Sequence, residues 1–354
     1  DQIQAFYSSV ATGDVDGDGD VDLVLPGYDQ PGKVMLNDGS GSFTDSGQSF
    51  FYPAQASVGI ALADFNGDTH LDAFVVQELN FRSIVLFNDG TGVFTASDQQ
   101  LPDGNSGFVQ AADIDNDGDT DVLVSNCCTD YQLGIGEPNS LWINDGNGNF
   151  SAGPSLGSNE SYSIALADMD LDGDVDVVES VINFYDESYH VTWLNDGNGN
   201  FTECPQTIGP IGGGMNLTIG DLDGDSYNDL IVASRGADSV EWYQNNGFAS
   251  PSFTLKGQVM TSAQGLDAPR SLELVDIDKS GSLDVVISAN QNLYLALNDG
   301  RETVFTTSTL TNFIGAGMVA KAVDEGLVVE EVIAEDRTLE GIFSRLMKLH
   351  RGVE

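Results

Sequence analysis

An all-β fold, a β-propeller of four-stranded antiparallel blades, is predicted by two observations. A nine-residue acidic loop recurs six times, and an Asn-Asp-Gly motif follows each copy in step. The segments between them are short apolar runs without the 3.6-residue period of an amphipathic helix.

The acidic loop reads DVDGDGDVD at Asp14–Asp22, DFNGDTHLD at Asp64–Asp72, DIDNDGDTD at Asp113–Asp121 and DMDLDGDVD at Asp168–Asp176. It returns as DLDGDSYND at Asp221–Asp229 and DIDKSGSLD at Asp276–Asp284. Successive copies start 50, 49, 55, 53 and 55 residues apart. The Asn-Asp-Gly motif starts at Asn37, Asn88, Asn144 and Asn195, with a weaker copy at Asn245 and another at Asn298.

Each repeat reads as four strands. Before the loop lies a run of small residues such as VGIALA, the composition of innermost strands that crowd together. After it comes a β-branched run such as AFVV or LIVA, which suits a pleated surface. A third strand ends at Asn-Asp-Gly, whose residues tolerate positive φ and so make a tight hairpin turn. A fourth begins at the Phe that follows. Six repeats favour six blades; a seventh would need a degenerate copy in the C-terminal segment.

Composition bounds the function. The 354 residues carry a formal charge of −44, which excludes electrostatic binding of a nucleic-acid backbone. A hydrophobic content of 40%, with aromatics throughout, argues for a folded chain rather than an acidic disordered one. No apolar run approaches the roughly 18 residues of a membrane span. The chain opens at Asp1 rather than Met, as a secreted protein does once its signal is removed; a trimmed chain would read the same.

So many like charges in one turn call for a cation. The candidate ligands alternate along each loop: Asp14, Asp16, Asp18, Asp20 and Asp22; Asp64, Asn66, Asp68, His70 and Asp72; Asp113, Asp115, Asp117, Asp119 and Asp121. The later loops offer Asp168, Asp170, Asp172, Asp174 and Asp176; Asp221, Asp223, Asp225, Tyr227 and Asp229; Asp276, Asp278, Ser280, Ser282 and Asp284. His70 would contribute its backbone carbonyl. Hard oxygen ligands on a flexible loop select calcium over magnesium and over softer-ligand metals. An EF-hand is excluded, because five of the six residues at position 12 are apolar and strands flank the loop. The loops at Asp14, Asp113 and Asp168 are the most complete, and the loop at Asp276, with Ser280 at position 5, is the poorest. Six calcium ions would bring the charge from −44 to −32.

These loops and turns resemble the FG-GAP/VCBS repeat family, whose members include the headpiece propeller of integrin α subunits. The resemblance spans about residues 5 to 308 and implies a calcium-binding propeller. It implies roles in cell adhesion, in sugar recognition, or in polysaccharide degradation as accessory or catalytic propellers.

Loop lengths point to a ligand region away from the acidic loops. The distance from the first loop Asp to Asn-Asp-Gly is 22 to 24 residues in four repeats, but 31 in the third and 27 in the fourth. The excess lies in SNCCTDYQLGIGEPN and SVINFYDESYH. Tyr131, Tyr185, Tyr189 and His190 on these insertions, with Phe51 and Tyr52 on the first blade connection, are candidate ligand-binding residues, since sugar rings stack on aromatic faces. His190 beside Tyr189 is also the acid–base pair a polysaccharide lyase would need. Among Cys127, Cys128 and Cys204, a bridge from either of the adjacent pair to Cys204 would clamp neighbouring blades in an oxidising compartment; three thiols or a strained vicinal link are the alternatives. Two sequons start at Asn159 and Asn216.

The domains are read as a propeller over residues 1–310 and a C-terminal segment over 311–354. The latter holds a strand-like LVVEEVIA and an amphipathic helix over DRTLEGIFSRLMKLHRG, a cap or self-association element. The expectation is an extracellular recognition module whose partner is a protein or glycan, not an enzyme. A polysaccharide-active propeller and a structural subunit of an extracellular assembly are the alternatives.

Overall fold

The computed structural model describes residues 9–311, apart from 28–29, 51–56, 78–81, 100, 102–105, 127–136, 158–159, 183–187, 210–213, 248–249, 278, 291, 299 and 301–304. The described chain is all-β but for one 3₁₀ turn at Ser262–Gln264, and its strands form six four-stranded antiparallel sheets, the blades of a β-propeller.

Blade 1 comprises Ala11–Gly13, Asp22–Leu25, Gly32–Asn37 and Phe43–Phe50; blade 2 comprises Ser57–Ala63, Asp72–Gln77, Ile84–Asn88 and Phe94–Ala96. Blade 3 comprises Ser106–Ala112, Asp121–Asn126, Ser140–Asn144 and Phe150–Ala152. Blade 4 comprises Glu160–Ala167, Asp176–Ile182, Ser188–Asn195 and Phe201–Glu203. Blade 5 comprises Gly214–Gly220, Asp229–Ser234, Ser239–Asn245 and Phe253–Thr261; blade 6 comprises Pro269–Val275, Asp284–Ala289, Asn292–Asn298 and Phe305–Thr311.

Register follows the two motifs. The acidic loop is the hairpin between strands one and two, so its last Asp pairs with the residue just before the loop: Ala63 with Asp72, Ala112 with Asp121, Gly220 with Asp229. The Asn-Asp-Gly turn joins strands three and four, pairing Asn88 with Phe94 and Asn144 with Phe150. Second strands such as Asp72–Gln77 and Asp229–Ser234 are buried along their whole length. That explains their unbroken β-branched runs, because a strand covered on both faces needs no polar alternation.

Two compact units divide the chain. The first holds blades 1 to 3 with parts of blade 4; the second holds the rest of blade 4 with blades 5 and 6. In the first, Phe65 and Phe74 of blade 2 meet Phe150 of blade 3 edge-on, with centroids 5.5 and 5.3 Å from it. In the second, Trp242 of blade 5 meets Phe305 of blade 6 at 6.2 Å. First strands do crowd: a Cβ at Gly59 would lie 2.8 Å from Val76 and 3.2 Å from Val109 of the next blade. Glutamines tie outer strands together. Phe94 N donates to Gln48 Oε1 and Phe253 N to Gln206 Oε1, at 3.0 and 2.8 Å, and the Gln99 amide holds both backbone groups of Phe150.

Of the C-terminal segment only Thr311 lies within the described residues. Cys127 and Cys128 also fall outside them, and Cys204 is a free, buried thiol. Asn216 is buried, and its Oδ1 accepts from Leu272 N at 3.0 Å, so that sequon offers no exposed amide.

Candidate metal centres

The loops curl because their own side chains cap their own backbone. The first Asp accepts the N–H of the sixth residue in all six loops, from Gly19 to Asp14 at 3.0 Å through Gly281 to Asp276 at 2.8 Å. The fifth residue accepts the N–H of the seventh, as in Asp119 N to Asp117 Oδ1 at 3.0 Å. Sixth residues take positive φ. Gly19, Gly118 and Gly173 do so without strain, whereas Thr69 and Ser226 are forced to 74° and 75°.

The ninth residue is a staple. Asp22, Asp72, Asp121, Asp176, Asp229 and Asp284 are fully buried. Asp121 accepts Ile114 N at 3.0 Å on one oxygen and Asn144 N at 2.8 Å on the other, tying the loop to the Asn-Asp-Gly turn; Asp72 does the same with Phe65 and Asn88. Burial lifts Asp72 and Asp121 to about 6 and Asp229 to about 7, against the partial relief of those hydrogen bonds. Asp16, Asp115, Asp170 and Asp223 are also raised, by burial first and by the next carboxylate along the loop second.

Four loops bring three carboxylates together with oxygens within 4.8 Å of one another: Asp14, Asp16 and Asp22; Asp113, Asp115 and Asp121; Asp168, Asp170 and Asp176; Asp221, Asp223 and Asp225. One oxygen each of Asp113, Asp115, Asp168, Asp170 and Asp223 is buried with no hydrogen-bond donor. Buried, donor-less carboxylate oxygens in convergent groups fit a hard cation, which would satisfy them and relieve their repulsion.

Blade 5 departs from the pattern expected. Trp242 Nε1 donates to Asp229 Oδ2 at 3.0 Å in addition to Leu222 N at 3.3 Å, and Asp225 stands in the acidic group instead. Blades 2 and 6 form no three-acid group among the described residues, in keeping with Asn66 and Ser280; Asp278 lies outside those residues.

The FG-GAP-like repeat family matches residues 7–75, 181–232 and 221–287. The chain belongs to that family. None of the curated proteins compared matches it in sequence. Among solved structures, an Agrocybe aegerita lectin described as recognising non-reducing terminal N-acetylglucosamine is 19% identical, covering 90% of this chain and 84% of its own, with a TM-score of 0.60. A protein of unknown function from Desulfotomaculum acetoxidans is 10% identical over 88% of this chain and 91% of its own, at a TM-score of 0.57. BBS1N, solved in complex with ARL6DN, is 12% identical over 87% and 82%, at 0.53. At such identities these likenesses bear on the fold alone.

Two further placements in this FG-GAP protein differ from expectation. Tyr189 and His190 stand on the third strand of blade 4, not on a projecting loop. His190 is fully buried and neither ring nitrogen has a partner, because its backbone pairs with Ile208 and turns the ring inward; burial lowers it to about 4. It is no surface ligand group. Phe51, Tyr52, Tyr131 and Tyr185 lie outside the described residues. The seventh residue of a loop faces its own turn: a Cβ at Gly90 would come within 2.4 Å of the His70 ring.

The glutamine clamps escaped the sequence reading. Gln48, Gln99 and Gln206 each stand five residues after the Phe of Asn-Asp-Gly, a spacing that could have found them.

Proposed function

We propose that this protein is an extracellular, calcium-stabilised recognition propeller that binds a glycan without converting it. The observation that carries the calcium reading is the set of donor-less buried oxygens on Asp113, Asp115, Asp168 and Asp170. All-oxygen ligands on an irregular, flexible loop match calcium better than magnesium, which demands near-octahedral geometry and keeps its waters. About six ions, one per loop, are the full complement. Bound calcium would hold the first, third and ninth side chains together. Each loop's ninth Asp would pass that order to its turn through the bond already in place.

The fold shared with the N-acetylglucosamine-recognising lectin supports a glycan as the ligand. Burial of His190 withdraws the acid–base group a lyase would use, which favours binding over turnover. A protein partner is the second reading, supported by the likeness to BBS1N in its complex.

The test is elemental analysis of purified protein followed by a glycan array run with calcium and with chelator. Calcium in the protein and calcium-dependent retention of a glycan are expected. Protein without calcium sinks the metal reading. Calcium-loaded protein that retains no glycan sinks the glycan reading and leaves pull-down of a protein as the next step.

A further inference from the structure

The first Asp of each loop treats its second oxygen in two ways. In blades 1, 2 and 5 the fourth loop residue is Gly17, Gly67 or Gly224, at φ 77°, 76° and 77°. Its N–H caps Oδ1 of Asp14, Asp64 and Asp221 at 2.8, 2.8 and 2.7 Å. In blade 6 the fourth residue, Lys279 at φ 58°, carries a side chain, yet N of the fifth residue, Ser280, caps Asp276 Oδ1 at 2.9 Å. In blades 3 and 4 the fourth residue carries a side chain, Asn116 or Leu171, at φ 60° in both. There Oδ1 of Asp113 and Asp168 is buried and uncapped; Oδ1 of the third residue is uncapped in the same two blades, at Asp115 and Asp170, and also in blade 5, at Asp223, where the first Asp is capped. In blade 1 the corresponding Asp16 oxygen already accepts Asp18 N at 3.3 Å.

An uncapped buried carboxylate oxygen is costly, and a cation removes that cost outright. A capped oxygen must share or surrender a hydrogen bond to reach the same ion, so it gains less. Leu171 shows that the arrangement does not come from packing. It is 47% exposed and sits in the left-handed region, which disfavours a leucine.

We propose that the presence or absence of a backbone cap on the first Asp's Oδ1 sorts the loops into two classes. Those of blades 3 and 4 take calcium first, and the other four fill at least about tenfold more weakly. The inference rests on the calcium reading above and separates the blade 1 loop, complete in its acids, from its apparent equals in blades 3 and 4.

Calorimetric titration of calcium into the chelator-stripped full chain tests it. Two ions are expected in the tight phase. Asn116→Gly should reduce the tight count to one, and Leu171→Gly is an independent route to the same loss. Gly17→Asn should raise it to three. A Cβ there meets only Gly90 O, at 3.5 Å, and Asn tolerates positive φ. One uniform class of sites, or a tight count that none of the three variants moves, overturns the proposal while leaving calcium binding intact. No heat and no bound calcium overturns the calcium reading itself.

Discussion

Asn88 Nδ2 donates to the carbonyl of Val15, the second residue of the preceding blade's acidic loop, at 2.8 Å. The same amide donates to Leu71 O of its own loop at 3.1 Å, and its backbone N–H donates to Asp72 at 2.8 Å. The link recurs as Asn144 to Phe65 at 2.9 Å, Asn195 to Ile114 at 2.7 Å, Asn245 to Met169 at 2.8 Å and Asn298 to Leu222 at 2.8 Å. The Asn of Asn-Asp-Gly is therefore more than a turn former, since one side chain fastens two acidic loops.

Asn144→Ala should accordingly destabilise far more than a turn substitution. It strands the carbonyls of Phe65 and Thr120, each of which now has a donor. Loss of a buried partner costs about 1–3 kcal/mol, so a melting point lower by several degrees is expected in thermal denaturation followed by circular dichroism. Asn147→Ala in the same turn is the control. Its amide bonds only Asp145 O, in an exposed setting, and a change of under about 0.5 kcal/mol is expected.

The buried ninth acids fix a pH dependence for calcium-free protein. Asp72 and Asp121 move from 3.8 up to about 6, and Asp229 up to about 7. The folded state then binds more protons than the unfolded chain. Their contribution is full below about pH 4 and is lost as the pH rises through about 6 to 7. Chelated protein should melt at a lower temperature at pH 8 than at pH 5.5. Saturating calcium favours the ionised form and should flatten or invert that trend. Parallel curves with and without calcium would break the link between these acids and the metal.

Fold and acidic loops were legible because both repeat. Any one loop is ambiguous, but hairpin register and ligand spacing are local, so six copies state them six times. What stayed hidden depends on neighbours. Trp242 reaches Asp229 across its own sheet, a pair that no repeated spacing marks, and Gln99 reaches Phe150 in the next blade, a link whose only trace in the sequence is the recurrence of Gln five residues after the Phe. His190 read as a loop residue because SVINFYDESYH is polar and aromatic. Pairing of Ser180 with His190 and Val181 with Tyr189 instead carries the strand into that insertion.

His190 itself yields a prediction of opposite sign to the acids. Burial lowers it from 6.5 to about 4, so the folded state binds fewer protons in that window and stability is lost as the pH falls from 6.5 toward 4. His190→Leu removes both the titration and two buried nitrogens that lack partners. The variant should match or exceed wild-type stability by about 1 kcal/mol at pH 7, with a larger advantage at pH 5. Urea unfolding at the two pH values measures both, and a variant less stable than wild type at pH 5 would show that the imidazole has a partner in solution.

The glutamine clamp separates donor from acceptor. Gln99 Nε2 donates to Phe150 O while its Oε1 accepts from Phe150 N. Gln99→Ala deletes both bonds at a half-buried site and should cost about 1–2 kcal/mol. Gln99→Glu keeps the acceptor but sets a carboxylate against the Phe150 carbonyl, so at pH 7 it should be at least as harmful as Ala. Protonation restores an O–H donor in the place of Nε2–H, so part of the loss should return near pH 4. Denaturation midpoints of the two variants, each referenced to wild type at the same pH, decide the matter. If the Glu variant gains nothing relative to Ala on acidification, the amide donor is not what holds the outer strands together.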